Sequence, residues 1–552
     1  MKASNTYRQI LKASALIGGS SMITVLIGIV RTKAMSILLG PAGFGLMGLY
    51  TSIIELTQSI AGMGVNNSGV RQIAEAVASG KQRTIAKTTR VLSQTSVVLG
   101  MLGTGFLFSF STPLSEFTFE NERYSHGIAI LALAVFFNLI AAGQNALLQG
   151  MRRISELAKI AVIGSLGGTL LAIPSVYFLG EKGVALSLVF MAASAFCTSM
   201  WYRRKISLEN PTMTASEFRK QQGDLLKLGF AFMISGLMMS GTAYVVRMLV
   251  VRHVGFDAAG LYQSAWTLGG LYVGFVLQAL GTDFYPRLTA VANDNDECNR
   301  IVNEQAHVSL LLAGPGVIAT LTLTPLVITL FYTSEFQGAV EVLRWLCLGM
   351  ALRVVSWPLG YIIVAKGEQK IMIFAELAWT VVYLALAWES VRYFDLEGAG
   401  AAFFGSYIFH FLMVYLIGRR LSNFRFSSVN IKTNSLFLAL ILVVFWAFYE
   451  LPVSVATGIG IIATGMSGIY SVVVILNLVS IERIPAVIER LFSRLKIVRS
   501  NDEYKHHDES SGVIALNVKD KVILFINRLI WMIIFLTFGL ICMNKYINSS
   551  FV

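Results

Sequence analysis

The stretch "ITVLIGIVRTKAMSILLGPAGFG", from Ile23 to Gly45, places Arg31 and Lys33 inside a run that otherwise reads as a membrane helix. Arg31 precedes Gly40 by nine residues, about 13 Å of helix. A bilayer core is about 30 Å thick, so the guanidinium lies near its middle. A buried arginine presents a planar fork of donors matched to the oxygens of an anion such as phosphate. It has polar company. On a 3.6-residue period Ser20 or Ser21, Thr24, Gly28 and Arg31 share one helix face. Thr51, Glu55, Gln58, Ser59 and Gly62 form a stripe on the next apolar run, and Glu55, ten residues past Gly45, can meet Arg31 at similar depth. Asn138, Asn145 and Gln149, then Gly236, Ser240, Tyr244 and Arg247, then Arg353, Ser356, Trp357 and Gly360 mark three further helices. Ionisable groups facing lipid are costly, so stripes on several helices imply a wet internal cavity. The chemistry expected of it is anion binding; no catalytic constellation is present.

Each of these residues also has a structural reading. Arg31 is either a ligand contact or the partner of Glu55, holding two helices together. Glu55 is either an ion-coupling carboxylate or half of that pair. Arg247 has apolar neighbours, Arg353 can serve helix packing, and Lys33 can snorkel toward the headgroups. Arg252, one turn from a helix end, reads as an interfacial anchor, and Arg71 and Arg287 as topology or lobe-contact residues. His253 and His410 stand alone and are assigned no chemistry. The four cysteines, Cys197, Cys298, Cys347 and Cys542, are isolated and show no metal-ligand or disulfide spacing.

The elements that must position these groups follow from composition. The 552 residues are 55% hydrophobic and 14% charged, with a mean hydropathy of +0.67, against roughly 25% charged in soluble domains. This is an all-α polytopic membrane protein. The net charge of +13 sits beside apolar runs, the pattern of topology determinants rather than of a nucleic-acid partner. Apolar runs of about 20 residues predict spans near 11–39, 44–64, 91–112, 126–149, 157–179 and 183–202. A second set follows near 226–254, 258–282, 305–331, 340–364, 371–390 and 397–418. Two or three more, near 434–450, 455–478 and 522–543, lie beyond. With the N-terminus inside, Lys and Arg gather in loops of one parity, with 283–304 the weakest because Asp294, Asp296 and Glu297 dilute Arg287 and Arg300.

The first twelve spans read as a duplicated six. "LLGPAGFGLMGLY" and "HVGFDAAGLYQSA" align Gly40, Gly45 and Leu46 with Gly255, Gly260 and Leu261 at a shift of 215, and a shift of 216 places Arg31 on Arg247 and Arg71 on Arg287. A short hairpin needs glycines there for positive φ and close approach. The expected domains are a first lobe at 1–202, a cytoplasmic linker at 203–225, a second lobe at 226–420 and an additional C-terminal region at 421–552 with a cytoplasmic loop at 480–521.

"RTKAMSILLGPAGFGLMGLY", "GVNNSGVRQIAEA" and "ALGTDFYPRL" resemble the Wzx-type O-antigen/polysaccharide translocases, a polysaccharide-transporter family of the multidrug/oligosaccharidyl-lipid/polysaccharide flippase superfamily. The resemblance covers roughly residues 5–420. It implies two six-helix lobes in a V-shaped flippase fold around a central cavity. It also implies a bacterial inner-membrane flippase that moves undecaprenyl-pyrophosphate-linked oligosaccharide from the cytoplasmic to the periplasmic leaflet, with the polysaccharide polymerase and chain-length regulator as further partners. The related lipid II flippase carries an arginine nine residues before its turn glycine, which Arg31 matches; a second arginine of that relative falls near Thr267 here. On this reading Arg31, Lys33, Arg247, Arg353, Asn138, Asn145, Gln58 and Tyr244 bind pyrophosphate or sugar, and neither cofactor nor metal is expected. A drug/cation antiporter of the same superfamily is the first alternative, but such a site favours carboxylates over arginines. A membrane O-antigen ligase or polymerase is the second, and would need a long outer loop, whereas the longest here is near 113–125.

Overall fold

The computed structural model describes residues 2–206, 212–478 and 537. In chain order the helices are α1 (Lys2–Ala61), α2 (Val65–Ala78), α3 (Gln82–Ser109), α4 (Ser111–Phe119), α5 (Ser125–Gly150), α6 (Ile154–Leu179), α7 (Gly183–Arg204), α8 (Ala215–Val254), α9 (Phe256–Ala290), α10 (Asn295–Thr322), α11 (Thr324–Phe331), α12 (Val340–Ala365), α13 (Gln369–Ser422), α14 (Ser428–Glu450) and α15 (Val453–Leu478). There is no strand among the described residues. Among the described residues ten helical segments are long and apolar enough to cross a membrane. Three of them, Gly19–Ala61, Ile154–Arg204 and Gln369–Ser422, run to 43, 51 and 54 residues, more than twice the length one crossing needs. Each is broken near its middle: at Gly40, at residues 180–182, and at Phe394 and Asp395. The surface is that of a membrane protein, with large apolar side chains such as Met22, Phe106, Leu170, Phe374 and Leu416 exposed along the helices.

Several helices start before their apolar runs. The expected loop at 283–304 is mostly helix: α9 continues to Ala290, and α10 starts at Asn295. The cause is Asp294, whose carboxylate accepts from the backbone N–H groups of Asp296 and Glu297, both at 3.1 Å. The acidic residues that thin the positive charge there are the helix start itself. In the same way α8 begins at Ala215, inside the expected linker, behind a capping box of Thr214 and Glu217. Hydropathy sees only the apolar part of a helix; caps and charged first turns extend it further.

The described chain forms two compact units. The first comprises Met1–Thr267, Pro325–Trp345 and Ile373–Ser406; the second comprises Leu268–Thr324, Leu346–Met372 and Tyr407–Val552. Within the first, Val65, Ile73, Val91, Leu92, Leu99, Leu147 and Leu225 make one buried cluster. There α6 and α7 approach through small residues: Ser194 Oγ donates to the Gly164 carbonyl at 3.0 Å, the packing mode of helices in lipid. Within the second, Phe284, Leu288, Ile301, Leu359, Ile362, Val414 and Phe424 cluster. Two of the added C-terminal helices, α14 and α15, dock on α10. Phe437 covers Gly314 and Thr322 covers Gly460. Asn303 ties the junction, donating to the Arg425 carbonyl at 3.0 Å and accepting from Ser427 N and Asn430 Nδ2, both at 2.8 Å. The expected span at 522–543 and the loop at 480–521 lie outside the described residues, Thr537 excepted.

Candidate functional site: an arginine-bearing hairpin pair

In the first unit two hairpins set the geometry. The chain reverses at Gly40 with φ 61° and ψ −173°, and between α8 and α9 at Gly255 with φ 110° and ψ 177°. Both φ values lie where residues with a Cβ are strained. Pro41 then opens the second half of α1, the first-turn position where a missing N–H costs nothing. Five residues past each turn, Gly45 and Gly260 meet backbone to backbone. A Cβ on Gly45 would lie 2.4 Å from the Phe256 carbonyl oxygen, and one on Gly260 would lie 1.9 Å from that of Pro41. This contact brings the second half of α1 alongside α8, where the hydroxyls of Ser59 and Ser240 are 3.0 Å apart.

Arg247 sits on that seam, eight residues before Gly255 and 7% exposed. Its Nε donates to Gln263 Oε1 and its Nη1 to Ser52 Oγ, each at 2.7 Å. Gln263 lies against Gly48 and also donates to Thr267 Oγ1 at 3.3 Å. Glu55 is exposed and within electrostatic reach of Arg247. Glu55 and Arg31 form no pair. Arg31 is half-buried on the first half of α1 and, among the described residues, has no hydrogen bond or ion pair. Two arginines at equivalent places in two hairpins are thus dressed differently: one is clamped by neutral groups, the other is bare.

The remaining expected residues divide. Lys33 donates to the Thr329 carbonyl at 2.8 Å and to that of Tyr332. These belong to the carbonyls that the end of α11 leaves open, so the ammonium works as a C-terminal cap. Tyr244 is buried with its hydroxyl 2.6 Å from Thr118 Oγ1 on α4. Gln58 Nε2 and Asn145 Oδ1 are buried atoms with no hydrogen-bond partner, so these amides retain unused capacity for a polar ligand. Asn138 is half-buried on α5. Arg353 belongs to the second unit and is not joined to this group. Arg252 donates to the Phe117 carbonyl and lies 3.6 Å from Glu120, an anchoring role. Arg71 pairs with Glu75 at 2.8 Å and Arg287 with Asp283 at 2.9 Å, each one helix turn away. No group of three or more potential metal ligands occurs among the described residues.

Sequence reasoning missed Ser52, Gln263 and Thr118. Gln263 left a signal, since the 215-residue shift places it on Gly48, the residue it packs against. Ser52 left one too, since it falls three residues before Glu55 and seven before Ser59 on the polar stripe of its helix; Thr118, in a segment expected to be loop, left none.

Comparison with known proteins places this geometry. A family model described as "Polysaccharide biosynthesis protein" matches residues 34–341. The chain is 22% identical over 420 residues to a lipid III flippase of Escherichia coli (strain K12), covering 74% of this chain and 99% of the relative. It is 24% identical over 375 residues to a putative O-antigen transporter of Shigella flexneri, covering 65% and 86%. Among solved structures, the lipid II flippase MurJ in an inward closed conformation superposes with a TM-score of 0.62 at 13% identity, covering 84% of this chain and 99% of that one. The chain therefore belongs to the polysaccharide biosynthesis protein family.

Proposed function

We propose that this protein is a flippase for undecaprenyl-pyrophosphate-linked oligosaccharide, an O-antigen or related surface-polysaccharide repeat unit, moving it from the cytoplasmic to the outer leaflet of the bacterial inner membrane. The observation that carries the reading is Arg31: a cation without a carboxylate in a membrane-spanning helix, matched on the neighbouring hairpin by Arg247, whose hydrogen-bond partners are neutral. A pyrophosphate cannot cross about 30 Å of hydrocarbon unaided, because burying unpaired charge is prohibitive. Two guanidinium forks replace its water. Gln58 and Asn145, with amide atoms unused, suit sugar hydroxyls, and Glu55 beside Arg247 suits a coupling cation. The relatives named lipid III flippase and putative O-antigen transporter support the same class. A polysaccharide polymerase and chain-length regulator would receive the translocated unit. A drug or cation antiporter would want carboxylates where this chain has arginines.

The test is depletion of the protein in its own cells, followed by mass spectrometry of the lipid-linked glycan and assignment of its leaflet. Accumulation of undecaprenyl-linked repeat units on the cytoplasmic side is expected. Normal surface glycan under full depletion, with no parallel flippase, overturns the reading.

A further inference from the structure

We propose that Arg353, His410, Ser356 and Tyr407 form a second oxyanion-binding site, confined to the second unit and taking a carboxylate or a phosphate group. Three other cations in that unit have partners, and the rest of those described there are exposed. Arg287 meets Asp283, Arg300 meets Glu297 and Glu304, and Lys366 donates to the Ala292 carbonyl and Asn295 Oδ1 at 2.8 and 2.7 Å. Arg353 differs. It is half-buried in α12, its one hydrogen bond runs to Met350 Sδ at 3.9 Å, and no carboxylate among the described residues lies within ion-pair distance. A guanidinium left so in a membrane-spanning helix is costly unless an anion completes it.

The surrounding groups are those that complete an oxyanion site. Ser356, one turn along α12 and fully buried, lies with its Oγ 3.3 Å from His410 Nδ1 on the second half of α13, which sets the imidazole plane. Tyr407, three residues earlier on α13, is buried with its ring 5.4 Å from that of His410, and both rings lie within electrostatic reach of Arg353. The Arg353 guanidinium supplies the fork of donors for a planar carboxylate or a tetrahedral phosphate, Ser356 donates to the Arg353 carbonyl at 3.3 Å and fixes His410, and the imidazole and phenol supply the polar surroundings. The site needs no property of Arg31 or Arg247. It touches the flippase reading at one point: an acidic sugar in the transported glycan is one source of the oxyanion, and the phosphate of a membrane lipid is the other.

Binding of free probes tests the site without transport. The full-length protein in neutral phosphatidylcholine nanodiscs, in low-chloride buffer, would be titrated with glucuronate and with inorganic phosphate, reading the thermal unfolding midpoint and the dissociation constant. In a second arm phosphatidylglycerol is added to the nanodiscs. Wild type should bind a probe with an affinity that Arg353→Gln weakens about tenfold or more and His410→Gln about threefold, whereas Arg71→Gln, at an exposed cation paired with Glu75, should leave it unchanged. Arg353→Lys should recover part of the loss, which guards against a folding defect in the glutamine variant. Glucuronate preference points to an acidic sugar; an Arg353-dependent shift on adding phosphatidylglycerol points to a lipid headgroup. Equal response of wild type, Arg353→Gln and His410→Gln to both probes and to phosphatidylglycerol overturns the proposal. Since no transport is measured, that outcome leaves the flippase reading to its own depletion test.

Discussion

In the first hairpin the chain turns at Gly40, packs at Gly45 and carries Arg31 one short helix segment earlier; in the second it turns at Gly255, packs at Gly260 and carries Arg247. The backbones repeat, but the arginine environments do not. Arg247 is held on two sides by Ser52 and Gln263, whereas Arg31 has no partner among the described residues. A repeated backbone therefore puts two cations at matched distances from paired turns, and the side chains around each decide whether it is preorganised or available. A clamped fork meets an anion with little ordering cost, and a bare one can follow it.

The largest expected effect comes from breaking the contact that pairs the hairpins. Gly260→Ala drives a Cβ into the Pro41 backbone at 1.9 Å, an overlap no side-chain movement relieves. It should cost about 3 kcal/mol or more, and little monodisperse protein should be recovered by size exclusion in detergent. Gly255→Ala meets no atom within 4 Å but is held at φ 110°, so it should cost only about 1–2 kcal/mol. Equal yields for the two would show that the backbone contact does not hold the hairpins together.

The second effect separates the arginines. Arg247→Ala strands the buried Ser52 and the half-buried Gln263 and should destabilise by about 1–3 kcal/mol, seen as a lower unfolding midpoint. Arg31→Ala, which breaks no hydrogen bond, should stay within about 0.5 kcal/mol of wild type, yet weaken pyrophosphate binding roughly ten- to a hundredfold, the worth of one charge-assisted contact. If Arg31→Ala instead lowers folded protein while a charge swap with Glu55 restores activity, the availability of Arg31 is wrong. Lysine at 31 should restore only part of the transport rate, because the fork is lost.

Two smaller effects sharpen the contrast. Gly48→Ala would press on the Gln263 carboxamide at 2.9 Å, which can move aside. A loss below about 1 kcal/mol with a measurable loss of pyrophosphate affinity would show that the clamp on Arg247 preorganises it. The least effect concerns the start of α8. There a hydrogen bond from Lys87, then the Thr214 backbone, hold the Glu217 carboxyl below its ordinary value of 4.5. A carboxyl lowered on folding stabilises above that ordinary value, and its contribution fades as pH falls through the folded value. Thermal unfolding below pH 4.5 should therefore decline slightly less steeply for Glu217→Gln than for wild type. The pair is largely solvated, so the difference will be small.

Membrane class, the apolar stretches of the long helices and both hairpin turns were legible from residue type and spacing. A glycine at a left-handed φ, a proline at a first turn and twenty apolar residues in a row act through local sterics and solvation, which travel with the chain. The repeat of Arg31 on Arg247 was legible for the same reason, since helical rise fixes distance from a turn. Partner choice was not. Arg247 meets Ser52 across 195 positions of sequence, Tyr244 meets Thr118 across 126, and Lys33 caps a helix end nearly 300 residues away. A long side chain near the seam can swing to any of several neighbours, and only the rotation and register set by contacts such as Gly45 on Gly260 decide which one it reaches. The sequence thus determined which cations the membrane must hold and at what distance from each turn; tertiary packing alone decided that Arg247 is clamped and Arg31 is left open.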